Sequence, residues 1–224
     1  MAPIVRVPAR GRAAARRFSF AIMAAGSVGV AGYAIYAYGF RPLGSLVHPD
    51  MRAAFEANRL AVYAHIFGAM VTLLLGPWQF LPAIRRRWRA AHRWMGRAYL
   101  GLGVLVGGGA GLILSFSAFG GLPSRIGFAT LAVAFLLTGA AALSAILDRD
   151  AVAHRRWMVR NFALALAAVT LRIQLGLGAA SGIPFEVYYP WLAWTSWLPN
   201  LVAAEVFLWW RSHRAHHATL STTA

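Results

Sequence analysis

The chain has no cysteine, and only six of its 224 residues are acidic. The absence of cysteine excludes disulfides, thiolate metal sites and iron–sulfur clusters. No paired carboxylate motif, phosphate-binding loop or serine elbow supports a hydrolytic enzyme. In contrast, 59% of the residues are hydrophobic and only 12% are charged. A soluble fold of this composition would leave apolar surface in water, so the composition predicts an integral membrane protein.

Six apolar segments are long enough to cross about 30 Å of hydrocarbon. We predict an all-α, polytopic bundle of six transmembrane helices in residues 18–211, with a basic N-terminal arm over residues 1–17 and a tail over residues 212–224. The first segment is too long for a signal peptide, so we expect it to be retained. The predicted helices 1 to 6 are Phe18–Phe40, Leu60–Ile84, Trp94–Phe119, Ile126–Leu147, Trp157–Ala180 and Trp191–Trp210.

The basic residues, all of them arginine, alternate along the chain. They cluster before helix 1, between helices 2 and 3, between helices 4 and 5, and after helix 6. Such clusters face the cytoplasm, so the pattern predicts a membrane protein with both termini cytoplasmic. A basic face beside apolar segments favours anionic lipid over nucleic acid as the partner. The arginines that we assign to lipid or another anion are Arg85, Arg86, Arg93, Arg97, Arg155, Arg156 and Arg160.

A short motif of basic and aromatic residues occurs twice, at Ala91–Arg97 and Ala153–Arg160. Each copy opens a long apolar segment, which predicts that helices 5 and 6 repeat helices 3 and 4. The repeat would place His92 and His154 at one depth near the cytoplasmic surface. One interpretation is that the two imidazoles are axial ligands of a haem b whose propionates bind arginines. The other is that both histidines belong to the basic interfacial belt.

Two ionisable side chains lie inside apolar segments, His65 in helix 2 and Arg172 in helix 5. Such groups cost free energy in hydrocarbon and usually face the bundle interior with a partner. Both fall in the predicted outer half, so we expect them to share one pocket with an anionic ligand or with a haem or quinone oxygen. A structural polar network is the alternative. By depth, Asn200 is a better partner for Arg172 than Glu205.

Three further patterns concern packing. The spacing of Gly103, Gly107 and Gly111 predicts close approach of another helix, with room for a flat cofactor as the alternative. Pro77 predicts a break at the end of helix 2. The aromatic stretch 182–199 is expected to lie along the outer interface or dip into it.

Taken together, these residues resemble a bacterial family of predicted membrane proteins known as domain of unknown function 2306. The resemblance covers helices 2 to 6 and implies a multi-pass membrane protein, without an agreed activity, that has His65, His92, His154 and Arg172 in the family's pattern. A vaguer likeness to transmembrane cytochromes b rests on histidines near helix ends, although His92 and His154 are expected to precede their helices. The stretches that carry the family resemblance are His65, Leu75–Phe80, His92–Tyr99, His154–Arg160 and Thr170–Arg172.

Two functions of different class follow from these patterns. One is a redox protein that binds haem b or quinone and moves electrons within or across the membrane. The other is a non-catalytic accessory or assembly subunit. Its basic face would bind anionic lipid, a membrane protein partner or a second copy of the same chain.

Overall fold

The computed structural model describes residues 9–220, and near the two ends of this range it omits the side chains of residues 9, 10, 12, 13, 15, 16 and 215–220. Much of the predicted basic arm and the end of the predicted tail therefore lie outside the described side chains. All regular elements between residues 9 and 220 are helical, which confirms the all-α prediction. The α-helices are α1 (Ala9–Gly39), α2 (Pro49–Ala57), α3 (Arg59–Gln79), α4 (Pro82–Arg87), α5 (Arg89–Ala98), α6 (Gly109–Ser115), α7 (Gly121–Leu147), α8 (Ala151–Ala165), α9 (Ala167–Ala180), α10 (Phe185–Thr195) and α11 (Leu198–Leu220).

Five stretches of the described chain are long and apolar enough to cross a membrane. They correspond to predicted helices 1 to 5, and the third and fifth combine several consecutive elements. We refer to the start of α5, the end of α7 and the start of α8 as the arginine-rich end of the bundle. The five stretches are Arg17–Gly39, Arg59–Gln79, Arg89–Ser115, Gly121–Leu147 and Ala151–Ala180.

Predicted helix 6 is not one continuous helix. Ser196 and Trp197 separate α10 from α11, and both side chains are buried. The indole N–H of Trp197 donates to the carbonyl of Ala193, 2.7 Å away, so it satisfies a carbonyl in the last turn of α10. Within the aromatic stretch, Tyr189 and Trp197 are core residues, whereas Trp191 is exposed. Hydrophobicity alone does not show this turn because the residues on both sides of it are equally apolar.

The expectation that His92 and His154 precede their helices is wrong, since each lies in the first turns of a helix. α5 begins at Arg89 and α8 begins at Ala151. The Asp150 carboxylate accepts hydrogen bonds from the backbone N–H groups of residues 152 and 153, which starts α8 before the chain becomes apolar. Hydropathy marks where a segment becomes apolar, and a cap can begin the helix earlier.

Pro77 lies inside α3, which continues to Gln79. The break comes at Phe80 and Leu81, and Pro82 then occupies the first turn of α4, where its missing N–H costs no helical hydrogen bond. The predicted interruption is therefore present, a few residues beyond the proline that predicted it.

A π-helical segment, Tyr99–Gly108, joins α5 to α6 and packs closely against α3. A Cβ atom on Gly68 of α3 would come within 2.4 Å of the Cα of Gly107. A Cβ atom on Gly103 would come within 2.3 Å of the Thr72 side chain. The predicted glycine stripe thus makes room for a neighbouring helix, in agreement with the packing interpretation.

Candidate functional site

A cavity of about 780 Å³ lies between the helices. Residues from α1, α2, α3, the π-helical segment and α6 to α10 contribute to its mostly apolar wall. This volume is within the range of small-molecule sites, which are typically apolar with a few well-placed polar groups. The polar side chains that matter most for its chemistry are Tyr33, Tyr38, His65, Arg172 and Tyr189.

His65 presents a defined hydrogen-bonding pattern to this cavity. Its Nδ1 lies 2.9 Å from the carbonyl oxygen of Gly107. A carbonyl can only accept a hydrogen bond, so Nδ1 carries the proton and Nε2 of the neutral ring is an acceptor. A Cβ atom on Gly111 would come within 2.8 Å of Nδ1, so this glycine leaves space for the imidazole. His65 thus lines the cavity with its Nδ1 engaged by the neighbouring helix.

Arg172 of α9 lines the same cavity. Its guanidinium carbon lies 5.2 Å from the ring centre of Tyr33, within cation–π range, and the guanidinium also lies beside the Tyr38 hydroxyl. No carboxylate of the described residues lies within ion-pair distance of Arg172, although Asp50 lines the same cavity. Arg172 therefore lines the cavity without an ion-pair partner among the described residues.

His65 and Arg172 both line this cavity, but Asn200, the predicted neighbour of Arg172, is bonded elsewhere. The side-chain amide of Asn200 donates to Thr170 Oγ1 at 3.0 Å and to the carbonyl of Ser196 at 3.1 Å. Asn200 therefore serves the α9–α11 contact. Glu205 accepts two hydrogen bonds from Arg160, one of them 2.8 Å long, and is likewise engaged elsewhere.

His48, which the sequence did not single out, lies in the wall of the cavity beside α10. Its imidazole stacks on Phe185 with ring centres 4.4 Å apart. Its nitrogens lie 3.6 Å from an Asp50 oxygen and 3.7 Å from a Glu186 oxygen. One histidine and two carboxylates are possible ligands for a divalent cation. The same distances describe a histidine held between two carboxylates, so we do not infer a metal site.

Tyr189 also lines the cavity and is nearly buried. Its aromatic ring packs among Phe119, Phe128 and Phe185. It adds a neutral hydrogen-bonding group to an otherwise aromatic wall.

His92 and His154 lie at the arginine-rich end, away from the cavity lining. The two are close enough for their charges to interact. Nδ1 of His154 donates to the carbonyl of Ala142, 2.8 Å away, which leaves Nε2 free. Nδ1 of His92 is shielded from solvent and has no hydrogen-bond partner among the described residues. Ligation of haem iron by this pair stays a prediction.

A buried polar network that the sequence did not reveal lies two helical turns from these histidines. The Tyr99 hydroxyl donates to Asn161 Oδ1 at 2.8 Å, and both residues are 0% exposed. Asn161 Nδ2 donates to the carbonyl of Phe135 at 2.7 Å and to Thr138 Oγ1 at 2.9 Å. The sequence does contain one indication of this pair, because Tyr99 follows His92 and Asn161 follows His154 by the same seven residues.

The arginines assigned to lipid fall into distinct groups. The guanidinium carbon of Arg97 lies 4.9 Å from the ring centre of Trp94, and that of Arg160 lies 4.9 Å from the ring centre of Trp157. The two copies of the motif therefore repeat this contact. Arg160 is also paired with Glu205, which reduces its availability for lipid. Arg86, Arg93 and Arg156 are exposed. Arg85 and Arg155 lie close to each other, and Arg85 also lies close to His92.

The comparisons with known proteins agree with the sequence resemblance. The model of a family described as predicted membrane protein (DUF2306) matches residues 62–209, which contain His65, His92, His154 and Arg172. No curated protein and no solved structure matches the chain. Because the match covers more than half of the sequence, the chain belongs to the DUF2306 family of predicted membrane proteins.

Proposed function

We propose that this membrane protein binds a lipid-soluble quinone or quinol in the cavity between its helices. The observation that carries the proposal is the pairing of Arg172, which has no described carboxylate partner, with His65 in one mostly apolar wall. A quinol ring with an apolar tail matches the wall, because one of its hydroxyl groups is able to donate to His65 and its other oxygen is able to accept from Arg172. The protein then belongs to the redox class and acts on a carrier dissolved in the bilayer.

The hydrogen-bonding pattern of the cavity favours a quinol over a fatty acid. A quinol hydroxyl is able to donate to Nε2 of His65 while another oxygen accepts from Arg172. A fatty-acid carboxylate has only acceptors, so it satisfies Arg172 but leaves the lone pair of His65 unmatched. Because an unmatched polar group in an apolar site costs about 1–3 kcal/mol, the ligand with both a donor and an acceptor is preferred.

Binding to detergent-purified protein tests the proposal, with decylubiquinol as the probe and tryptophan fluorescence as the readout. We expect saturable binding that weakens about tenfold or more in Arg172→Gln, which removes a charged hydrogen bond worth about 1.5–3 kcal/mol, and about fivefold in His65→Leu, which removes a neutral one worth about 1 kcal/mol. Tyr36→Phe and Thr130→Val are the controls, because both side chains are exposed and neither lines the cavity. Absence of binding, or equal binding to all four variants, would contradict the proposal. Binding of palmitate alone would replace the quinol with a fatty acid.

We also propose that α10 and α11 together complete a sixth crossing, which returns the chain to the cytoplasmic side of a bacterial inner membrane. The contact of Glu205 in α11 with Arg160 in α8 supports this arrangement, as does the proximity of Arg211 to Arg155. Both contacts place α11 beside the start of the fifth spanning stretch. The arginine distribution then places both termini in the cytoplasm.

Reporter fusions test this topology. Fusions after Arg89, Arg149 and Arg214 are expected to report the cytoplasm, because each follows an arginine cluster. Fusions after Asp50 and Phe185 are expected to report the opposite side. Alkaline phosphatase and green fluorescent protein give complementary signals at each position. An odd number of crossings or a reversed orientation would refute the proposal.

A further inference from the structure

Basic side chains from four helices converge at the arginine-rich end of the bundle. His92 in α5 is close enough to His154 in α8 and to Arg85 in α4 for their charges to interact. Arg155 in α8 is in turn close to Arg85 and to Arg211 in α11. These five side chains form what we call the basic cluster. They come from three separate parts of the sequence, residues 85–92, 154–155 and 211, and helix packing brings these parts together.

The described carboxylates do not neutralise the basic cluster. Glu205 is paired with Arg160. Asp150 accepts from the first N–H groups of α8. Asp148 is 3.4 Å from the Ser144 hydroxyl, and no carboxylate is among the charged neighbours of His92 or Arg155. Positive groups that are close enough for their charges to interact repel one another unless an anion lies between them.

Two nitrogen atoms of the cluster are shielded from solvent and have no partner among the described residues. They are Nε of Arg85 and Nδ1 of His92. The Nε of arginine is always a donor, so it requires an acceptor oxygen and has no use for a metal ion. A buried donor without a partner costs about 1–3 kcal/mol, which a bound oxyanion would recover.

We propose that the basic cluster binds a phosphate group, carried either by an anionic phospholipid or by free phosphate. Phosphate offers several acceptor oxygens and up to two negative charges, and the arginine guanidinium matches its geometry. The site is independent of the quinone cavity, since none of its five residues lines that cavity. The arginine-rich end of the bundle then has one specific phosphate site, the basic cluster, and the other arginines lie around it.

Thermal unfolding of the purified protein tests this site. One arm compares sodium phosphate with sodium chloride at equal ionic strength in detergent. The other compares phosphatidylcholine nanodiscs with and without phosphatidic acid. We expect phosphate or phosphatidic acid to raise Tm in the wild type. We expect the half-saturating concentration to rise about tenfold or more in Arg85→Gln and in Arg155→Gln.

The matched controls are Arg86→Gln and Arg156→Gln, which remove the same charge from exposed neighbouring positions. A shift with phosphate alone assigns the site to free phosphate, and a shift confined to phosphatidic acid assigns it to a lipid headgroup. Absence of both shifts, or equal weakening in the controls, would overturn the proposal. Arg155 is exposed, so Arg155→Gln keeps the test decisive if Arg85→Gln fails to fold.

A reduced-minus-oxidised absorption spectrum is a second test, because it distinguishes a haem site from a phosphate site at these histidines. Haem bands that disappear in both His92→Ala and His154→Ala would assign the two imidazoles to iron and overturn the phosphate site. A featureless spectrum together with the phosphate-dependent shift supports the proposal.

Discussion

Gly68→Ala is expected to prevent α3 and the π-helical segment from packing as they do. We expect it to cause the largest loss of stability of any glycine-to-alanine substitution in the protein. The added Cβ atom would lie 2.4 Å from the Cα of Gly107 and 2.8 Å from the carbonyl oxygen of Leu102. Both obstacles are backbone atoms, so no side-chain rotation relieves the overlap. Overpacking usually costs about 1–3 kcal/mol, and we expect a loss at or above the top of that range.

Thermal unfolding and the yield of monodisperse protein measure this effect. Gly101→Ala and Gly109→Ala are the controls, since an added Cβ atom at either position meets no atom within 4 Å. Alanine favours helix more than glycine does, so the controls are expected to match or exceed the wild-type Tm. A wild-type Tm for Gly68→Ala would show that the two helices do not approach as closely as described.

Asn161→Leu is expected to destabilise the protein by about 2–4 kcal/mol. The substitution leaves the Tyr99 hydroxyl without its acceptor in a region that solvent does not reach, and it removes the hydrogen bonds that Asn161 donates to Phe135 and Thr138. An unsatisfied buried group costs about 1–3 kcal/mol, and each lost hydrogen bond costs about 1 kcal/mol more. The network joins three spanning stretches, so its loss affects the whole bundle and not one contact.

A double-mutant cycle isolates this interaction. Tyr99→Phe removes the hydroxyl that Asn161→Leu leaves unpaired, so the double variant is expected to lose less stability than the sum of the two single variants. Thr130→Val is the control, because its hydroxyl bonds only to Ile126 of its own helix. Strictly additive losses would show that Tyr99 and Asn161 do not form the described hydrogen bond.

His65 and Arg172 show how far the sequence alone predicts the candidate site. An ionisable side chain in hydrocarbon is costly wherever the helix lies, so apolar context was enough to select both residues and to place them in the bundle interior. The sequence did not predict what surrounds them. Tyr33 and Tyr38 come from α1, and Gly107 comes from the π-helical segment, so the cavity exists only after distant helices meet.

The sequence by itself determined the membrane class, the all-α fold, the five stretches of spanning length and the membership of the family. These properties depend on local hydropathy, on length and on short motifs, all of which are present before any tertiary contact forms. The tertiary structure decided the cavity, the pairing of Glu205 with Arg160, the Tyr99–Asn161 bond and the basic cluster. These depend on which face of each helix meets which neighbour. In hydrocarbon, steric fit and interhelical hydrogen bonds select those faces, and hydrophobicity is almost uniform around each helix.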